Sequence, residues 1–332
     1  MNVTCTMART LFFLLFCSPH ILHGQLHVLP ERLQSSDAVP DKLLSAKAVV
    51  LYASAYGQKE RSQVQQAFQQ IGIDAVAYYP SDWVLANTDI TGALAAEWNE
   101  RVVTMIVMAE KKGDVFELYF TPFTGKNNLV EDQQPAWYVK HSDLNELLLT
   151  VYRDSWARQV KANFLINSFP EPVALPAFIV GRRMELYAID LKVDYLAVPL
   201  TNDSTVNQTL RDFFKQYYPL RYKFVRLPEN ERDLRRQGFH YVLKYAHARG
   251  EALRQVLQYD VTKQEKAYAS TTYPNGLSQL KMIPAEKPVY KFYFKQLESG
   301  HVYLGARWDA DEDLLSALRN HIKALKVELK LD

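Results

Sequence analysis

Cysteine is nearly missing from this chain, and the two cysteines that it has lie close to its start. The 332 residues contain only Cys5 and Cys17. Both lie in a stretch that has the pattern of a signal peptide, so the processed chain has no thiol for a disulfide, a thiolate nucleophile or a cysteine-ligated metal. We therefore expect the folded protein to depend on its apolar core alone.

Glycine is scarce, and neither positive nor negative charge is in large excess. Only 12 residues are glycine, and 39 Lys and Arg stand against 37 Asp and Glu, for a net charge of +2. Few glycines argue against a loop-dominated nucleotide site. The near-zero net charge gives no electrostatic reason to expect nucleic acid or an acidic membrane as a partner.

The first 24 residues have the pattern of a secretory signal peptide. Arg9 supplies the positive charge, residues 11–17 form the apolar core, and cleavage after Gly24 fits the pattern. The apolar core is shorter than the roughly 20 residues that span a bilayer, so we expect no transmembrane span. We expect export to a bacterial periplasm. A lipid anchor at Cys17 is the less favoured alternative, because the bulky Phe16 precedes it.

The chain contains a similar α/β pattern twice. Residues 102–120 and 238–259 each show two apolar runs, hinged at Gly113 and at Gly250, and a later tyrosine-containing strand and acidic-capped helix follow each of them. We predict an α/β fold with some α+β character, made of two tandem sandwich domains with mixed sheets. Either the second domain copies the first, or the two are unrelated α+β domains. The expected boundaries are a signal peptide at 1–24, a leader at 25–45, domains at 46–160 and 181–332, and a proline-containing linker at 161–180.

Apolar periodicity places the elements of both domains. In the first, strands at 48–52 and 74–79 flank a helix at 60–71, which implies a parallel pair with a right-handed crossover. A helix at 88–99, a hairpin, a strand at 138–140 and a helix capped by Ser142 complete it. The second has strands at 195–200 and 221–227, helices at 205–217 and 230–237, and a hairpin at Gly250. An insert at 262–288, a strand at 289–296 and a helix at 309–325 follow. This element order resembles that of small α/β domains of envelope proteins such as the N-terminal domain of TolB, and the resemblance transfers no site.

The sequence lacks the known arrangements for catalysis, cofactor binding and metal binding. Gly125-Lys126 lacks the leading glycine and the following Ser or Thr of a phosphate loop, and no nucleophile elbow is present. His240 and His247 lie seven apart on a predicted strand and so point to opposite faces. His321 is expected on the exposed side of the last helix. We predict no catalytic, cofactor-binding or metal-binding residue, and we lean against an enzyme.

Tyrosine and tryptophan are abundant, and most of them are expected in the core. The alternative is an exposed platform for a protein or a glycan. We hypothesise an exported, non-catalytic binding or assembly module that contacts another envelope protein through sheet edges or aromatic patches. The alternative is a solute- or glycan-binding protein or a hydrolase that uses a cleft between the domains. The candidate contact residues are Trp83, Trp137, Tyr138, Arg182, Tyr187, His240 and Trp308.

Overall fold

The first half of the chain builds a six-stranded mixed sheet. The computed structural model describes residues 29–158, 161–163, 165–171, 178–201, 203–226, 231–263, 265–274 and 276–331. The strands lie in the order β1-β6-β5-β4-β2-β3; β1/β6, β2/β3 and β2/β4 are parallel, and β4/β5 and β5/β6 are antiparallel. The elements are β1 (Leu33–Ser36), β2 (Lys47–Tyr52), α1 (Gln58–Ile71), β3 (Asp74–Pro80), α2 (Ser81–Val84), α3 (Thr88–Glu100), β4 (Met105–Lys112), β5 (Val115–Pro122), β6 (Gln134–His141) and α4 (Leu144–Arg158).

The second half builds another six-stranded mixed sheet and a separate hairpin. The sheet has the order β7-β14-β13-β10-β8-β9, and β11 and β12 form a two-stranded antiparallel sheet of their own. The elements are β7 (Arg183–Met184), β8 (Leu196–Leu200), α5 (Ser204–Tyr217), β9 (Tyr222–Arg226), α6 (Glu231–Arg236), β10 (Tyr241–Arg249), α7 (Gly250–Val256), β11 (Ala267–Thr272), β12 (Gln279–Pro284), β13 (Pro288–Gln296), β14 (Val302–Tyr303) and α8 (Leu314–Glu328).

The two large sheets have the same strand order and the same strand directions. Position by position, β7/β14, β8/β9 and β10/β8 are parallel, and β14/β13 and β13/β10 are antiparallel, as in the first sheet. The prediction of a mixed α/β fold with mixed sheets is confirmed. That the second half is a copy of the first stays a prediction. None of the described helices is long and apolar enough to cross a membrane.

The apolar side chains divide into layers. Helices α1 and α4 cover one face of the first sheet, and α5 and α8 cover one face of the second. The opposite faces, together with α3 and α7, form one continuous core that includes Ile106 and Trp98 from the first half and Leu253 and Tyr293 from the second. The two halves are therefore joined by a shared apolar core.

Local sequence explains where the helices begin and end. In α1, Val64, Phe68 and Ile71 lie at a helical spacing and are buried, and Gly72 ends the helix with a φ of 108°. The cap of α4 differs from the prediction, because the Asp143 carboxylate, and not Ser142, accepts the first backbone N–H groups of that helix.

The expected leader is part of the first half. Leu29 and Leu43 are fully buried, and β1 pairs with β6 along its whole length. The prediction that residues 25–45 form a leader outside the core is wrong for residues 29–45. Apolar residues recur there, and Pro30 begins a short 3₁₀ helix. The predicted signal peptide lies outside the described residues. Part of the predicted linker lines the first sheet, since the Glu171 N–H donates to the Val76 carbonyl at 3.0 Å.

The predicted second hairpin is also wrong. Residues 250–256 form α7, because Ala252, Leu253 and Val256 recur at a helical spacing and are buried. The antiparallel partner of β10 is β13, so the insert relative to the first half begins at Gly250 and not at residue 262. The last helix begins at Leu314, where the Asp313 carboxylate accepts a hydrogen bond from the backbone of the first turn.

A stability measurement tests the placement of residues 29–45. Replacing the fully buried Leu43 by alanine (Leu43→Ala) should lower the free energy of unfolding by about 2–5 kcal/mol, because it removes contacts and leaves a cavity. Leu186, which is 62% exposed, is the matched control, and Leu186→Ala should change that free energy by less than about 0.5 kcal/mol. Denaturant unfolding measures both changes. Equal losses of free energy for Leu43→Ala and Leu186→Ala would show that residues 29–45 lie outside the core.

Candidate functional site

The seven residues predicted as contacts do not form one site. Trp137, Tyr187 and Trp308 are buried, and Trp83 and Tyr138 are half-buried. Only two of the seven, Arg182 and His240, are exposed.

The aromatic candidates pack against other parts of the fold. The Trp137 ring lies 4.9 Å from Phe120, and the Trp308 ring lies edge-on to Tyr259 at 5.1 Å. The Tyr138 hydroxyl donates to the Glu117 carboxylate at 2.8 Å. These contacts stabilise the sheets and leave little aromatic surface for a partner.

The two exposed candidates border one turn. The Arg182 N–H is 2.9 Å from Nδ1 of His301, and the His240 carbonyl accepts from the N–H of Leu297 at 2.8 Å. Both residues therefore flank the connection between β13 and β14. Contact of these side chains with a partner stays a prediction.

The surface between the two halves is packed and hydrogen-bonded. The Trp83 indole donates to the Gln255 side chain at 3.0 Å, and the backbone N–H of His247 donates to the Ala86 carbonyl at 2.8 Å. Arg249 and Asp82 form an ion pair beside them. Among the described residues, this region is an interface and not the open crevice that a solute would need.

Four charged side chains lie at one end of this interface. Asp89 of α3 accepts from Lys244 and, at 3.0 Å, from Lys295, and Glu231 of α6 lies 2.6 and 2.9 Å from the same two ammonium groups. The Asp89 side chain is only 13% exposed. Burial alone would raise the pKa of Asp89, but the two lysines hold it below its ordinary value. The four groups thus neutralise one another and link the halves.

A second charged cluster is sealed inside the second half. Lys291 Nζ lies 2.7 Å from the Asp309 carboxylate, and it donates to the backbone carbonyls of Leu304 at 2.5 Å and Phe292 at 3.2 Å. The charge of Asp309 and the two backbone carbonyls favour the charged form of Lys291, even though burial lowers its pKa. The Lys291 side chain has no exposed surface, so it is not accessible to a substrate.

His321 belongs to this buried cluster. Its Nδ1 lies 3.2 Å from Asp309 and 3.1 Å from the Tyr187 hydroxyl, and the residue has no exposed surface. The prediction that His321 lies on the exposed side of the last helix was therefore wrong. Burial, with Lys291 beside it, lowers the pKa of His321 to about 4, so the ring is neutral at neutral pH.

One half-buried carboxyl group stands out at the end of β4. Glu110 faces Glu117 across the β4/β5 pair. Burial, opposed by Lys112 and reinforced by Asp82 and Glu117, raises the pKa of Glu110 to about 7. Within the described part of the chain, no group of three or more His, Cys, Asp and Glu side chains is placed to hold a metal ion.

The hairpin of β11 and β12 carries one of several exposed apolar surfaces, and we take it as the candidate site. Leu277, Leu280 and Met282 are 72%, 72% and 62% exposed. We call these three residues the hairpin surface. Large apolar side chains in a cluster of this exposure mark interaction surfaces more often than isolated ones do.

An open cleft lies beside the hairpin surface, between the start of β12 and the first turns of α8. It has a volume of about 370 Å³. Its wall includes Leu280, Lys281, Arg319 and Asn320. An apolar patch next to a polar cleft is the arrangement expected of a binding surface.

Comparison with known proteins adds no assignment to this geometry. No protein-family model matches the chain, and no curated protein matches its sequence. The candidate site therefore stands on the contacts described above.

The sequence carried a weak signal for the hairpin surface. In residues 279–284, Leu280 and Met282 belong to one face and Lys281 and Ile283 to the other. This two-residue alternation is the period of a strand. The signal was missed because the segment lay in a region interpreted only as an insert without a counterpart.

Removal of Asp89 tests whether its charge links the halves. Asp89→Asn leaves two lysines with Glu231 alone, so the free energy of unfolding should fall by about 3–5 kcal/mol at neutral pH. The pKa of Asp89 is lowered in the folded protein. The wild type therefore has the higher free energy of unfolding above pH 3.8, the ordinary pKa of Asp, and loses this difference as the pH falls through the folded pKa. Denaturant unfolding across pH measures it, with the exposed Asp114→Asn as control. An Asp89→Asn effect as small as the control's contradicts the linkage.

Glu110 gives a pH effect of the opposite sign. The pKa of Glu110 is raised to about 7 in the folded protein, so its ionised form lowers the free energy of unfolding above that pH. This loss disappears as the pH falls towards 4.5, the ordinary pKa of Glu. Glu110→Gln should therefore be more stable than wild type at pH values above 7, by on the order of a few kcal/mol, and equally stable below 4.5. Thermal unfolding across this window measures the difference. The exposed Glu100→Gln should show none, and a pH-independent difference at Glu110 would refute the assignment.

Proposed function

We propose that this protein is an exported, non-catalytic binding or assembly module that engages another envelope protein through the hairpin surface. The observation that carries the proposal is the exposure of Leu280 and Met282 on β12, a strand at the edge of its own small sheet, and of Leu277 just before that strand. Apolar side chains on an exposed edge strand are a liability for a protein that works alone, and they are useful to one that binds a partner.

The placement of the buried charged groups supports a role without catalysis. Lys291, Asp309 and His321 would be the most reactive set in the chain, yet each of them is at most 1% exposed. Asp89 and its two lysines satisfy one another at the interface between the halves. These groups are paired with one another inside the fold, and none of them lines the open cleft beside the hairpin.

The packed interface weighs against the alternative of a solute or glycan in an interdomain cleft. Arg182, Tyr187, His240 and Trp308 are the candidate contact residues in the second half of the chain. Tyr187 and Trp308 are instead buried within the second half and the shared core. A binding role on the outer surface agrees better with this arrangement.

Export rests on the N-terminal sequence. Arg9, the apolar residues 11–17 and the small residue Gly24 together have the composition of a cleavable signal. We therefore place the partner among the proteins of the bacterial envelope.

Affinity purification from envelope extracts tests the proposal. The tagged wild-type protein should recover a stoichiometric protein companion, identified by mass spectrometry. The double variant Leu280→Glu with Met282→Glu should recover at least about tenfold less of it, because charges replace the apolar contact.

The matched control carries the same charges elsewhere. Leu186 and Val327 are 62% and 67% exposed in another part of the second half, so Leu186→Glu with Val327→Glu should retain the companion. Unchanged melting temperatures would show that both variants fold. Recovery of the wild type without a companion, or equal recovery with all three proteins, would contradict the proposal.

A further inference from the structure

One side of the β12 backbone pairs with no other strand of the described residues. In the register of the hairpin, the Ala285 N–H donates to the Lys266 carbonyl at 2.9 Å, so this pair is hydrogen-bonded. Bonded and non-bonded pairs alternate in an antiparallel ladder. The pairs Thr271/Leu280 and Ala269/Met282 are therefore non-bonded, and the N–H and C=O groups of Leu280 and Met282 point away from β11.

The opposite edge of the hairpin is already occupied. The N–H of Thr271, which points away from β12, donates to the Trp308 carbonyl at 2.7 Å. Within the part of the chain that the structure describes, β12 has β11 as its single neighbouring strand. The free edge of this small sheet is thus on the side of Leu280 and Met282.

Two other edges of the fold, β3 and β9, are protected. The β3 edge of the first sheet is bridged by Glu171, and β9 at the edge of the second carries the exposed charges of Lys223 and Arg226. Edge strands are commonly protected by covering segments and by charges of this kind. In β12, Lys281 forms an ion pair with Asp311, and its neighbours Leu280 and Met282 are apolar.

The cleft beside β12 contains a cation without an acidic partner. Lys281 is held by Asp311 at 3.0 Å and Glu312 at 3.4 Å, and the Asp313 carboxylate caps α8. Arg319 forms no ion pair with the described residues, and its buried Nε has no hydrogen-bond acceptor among them. The Arg319 guanidinium lies over the Tyr217 ring at 5.5 Å, and a carboxylate that entered the cleft would be its first ionic partner among the described residues.

A second copy of the chain fits this edge poorly. If two β12 strands paired about a two-fold axis at Lys281, which sets the outward backbone groups of Leu280 opposite those of Met282, Lys281 would lie opposite its own copy. Like charges directly opposite each other destabilise a strand pair, whereas opposite charges stabilise it. The edge therefore favours a foreign strand with an acidic residue at that position.

Resting on the proposed function, we propose that the partner adds an extended segment as a third strand to the β11/β12 sheet. The segment pairs with the backbone of Leu280 and Met282 and packs apolar side chains on the hairpin surface. On the other face, one Asp or Glu side chain of the segment enters the cleft beside Arg319. Main-chain pairing supplies affinity in this kind of recognition, and alternate side chains supply specificity.

A display library of random peptides is the probe. Selection on the immobilised wild-type protein should enrich peptides that alternate apolar residues with one Asp or Glu. The affinities of the enriched peptides, made synthetically, are then measured by calorimetry for the wild type and for variants.

Two variants of one residue separate backbone pairing from side-chain packing. Met282→Pro removes an outward N–H that the hairpin does not use, so β11 and β12 should stay paired. Met282→Ala keeps that N–H and loses the side chain. We expect affinity for Met282→Pro to be lower than for Met282→Ala by on the order of tenfold. Equal affinities for the two variants overturn strand addition.

The acidic side chain is tested with a second pair of changes. Replacing the peptide's Asp or Glu by its amide should weaken binding to the wild type by on the order of tenfold and leave binding to Arg319→Gln unchanged. An equal loss with both proteins overturns the role of Arg319. A wild-type protein that dimerises in sedimentation, and a Met282→Pro variant that does not, would assign the edge to a second copy.

The outcomes keep the two proposals apart. Peptides that need Leu280 and Met282 but tolerate proline overturn strand addition and leave the protein-binding surface in place. Failure to enrich any alternating peptide also overturns strand addition. The proposed function itself is contradicted only if the affinity purification gives the contrary result stated above.

Discussion

The shared apolar core between the two sheets is the constraint on which the rest of the structure depends. Each sheet has helices on its outer face, and its inner face is buried in a core that the other half and the helices α3 and α7 share. Burying apolar area is the main favourable term in folding. The space between the halves is therefore filled by apolar side chains of the described residues.

The charges that this core encloses are explained by the same constraint. Asp89 lies at the start of α3, at the edge of the shared core, where it meets Lys244 and Lys295 from the second sheet. Lys291 lies deeper and is neutralised by Asp309. Breaking such buried pairs leaves an uncompensated charge, whereas the intact pairs contribute little net stability. The ion pairs of Asp89 join the two halves, and the pair of Lys291 and Asp309 lies inside the second half, where no substrate can reach it.

Periodicity predicted much of the fold and little of the site. The strand–helix–strand order around Phe68 and the helix of Phe213 and Phe214 follow from apolar spacing, and the structure has both. Spacing does not report long-range pairing, so the burial of Leu43, the change of partner for β10 and the position of His321 were missed. The hairpin surface was missed because exposure depends on which neighbours a strand has, and local sequence does not specify them.

The most direct test of the central claim is whether the two halves unfold together. The protein has five tryptophans, with Trp98 and Trp137 in the first half and Trp308 in the second, and all three of these are buried. Fluorotryptophan labelling gives each a separate NMR signal to follow through a denaturant titration. The shared core predicts one transition with the same midpoint for Trp98, Trp137 and Trp308. A folded signal from either half that persists after the other has unfolded would contradict it.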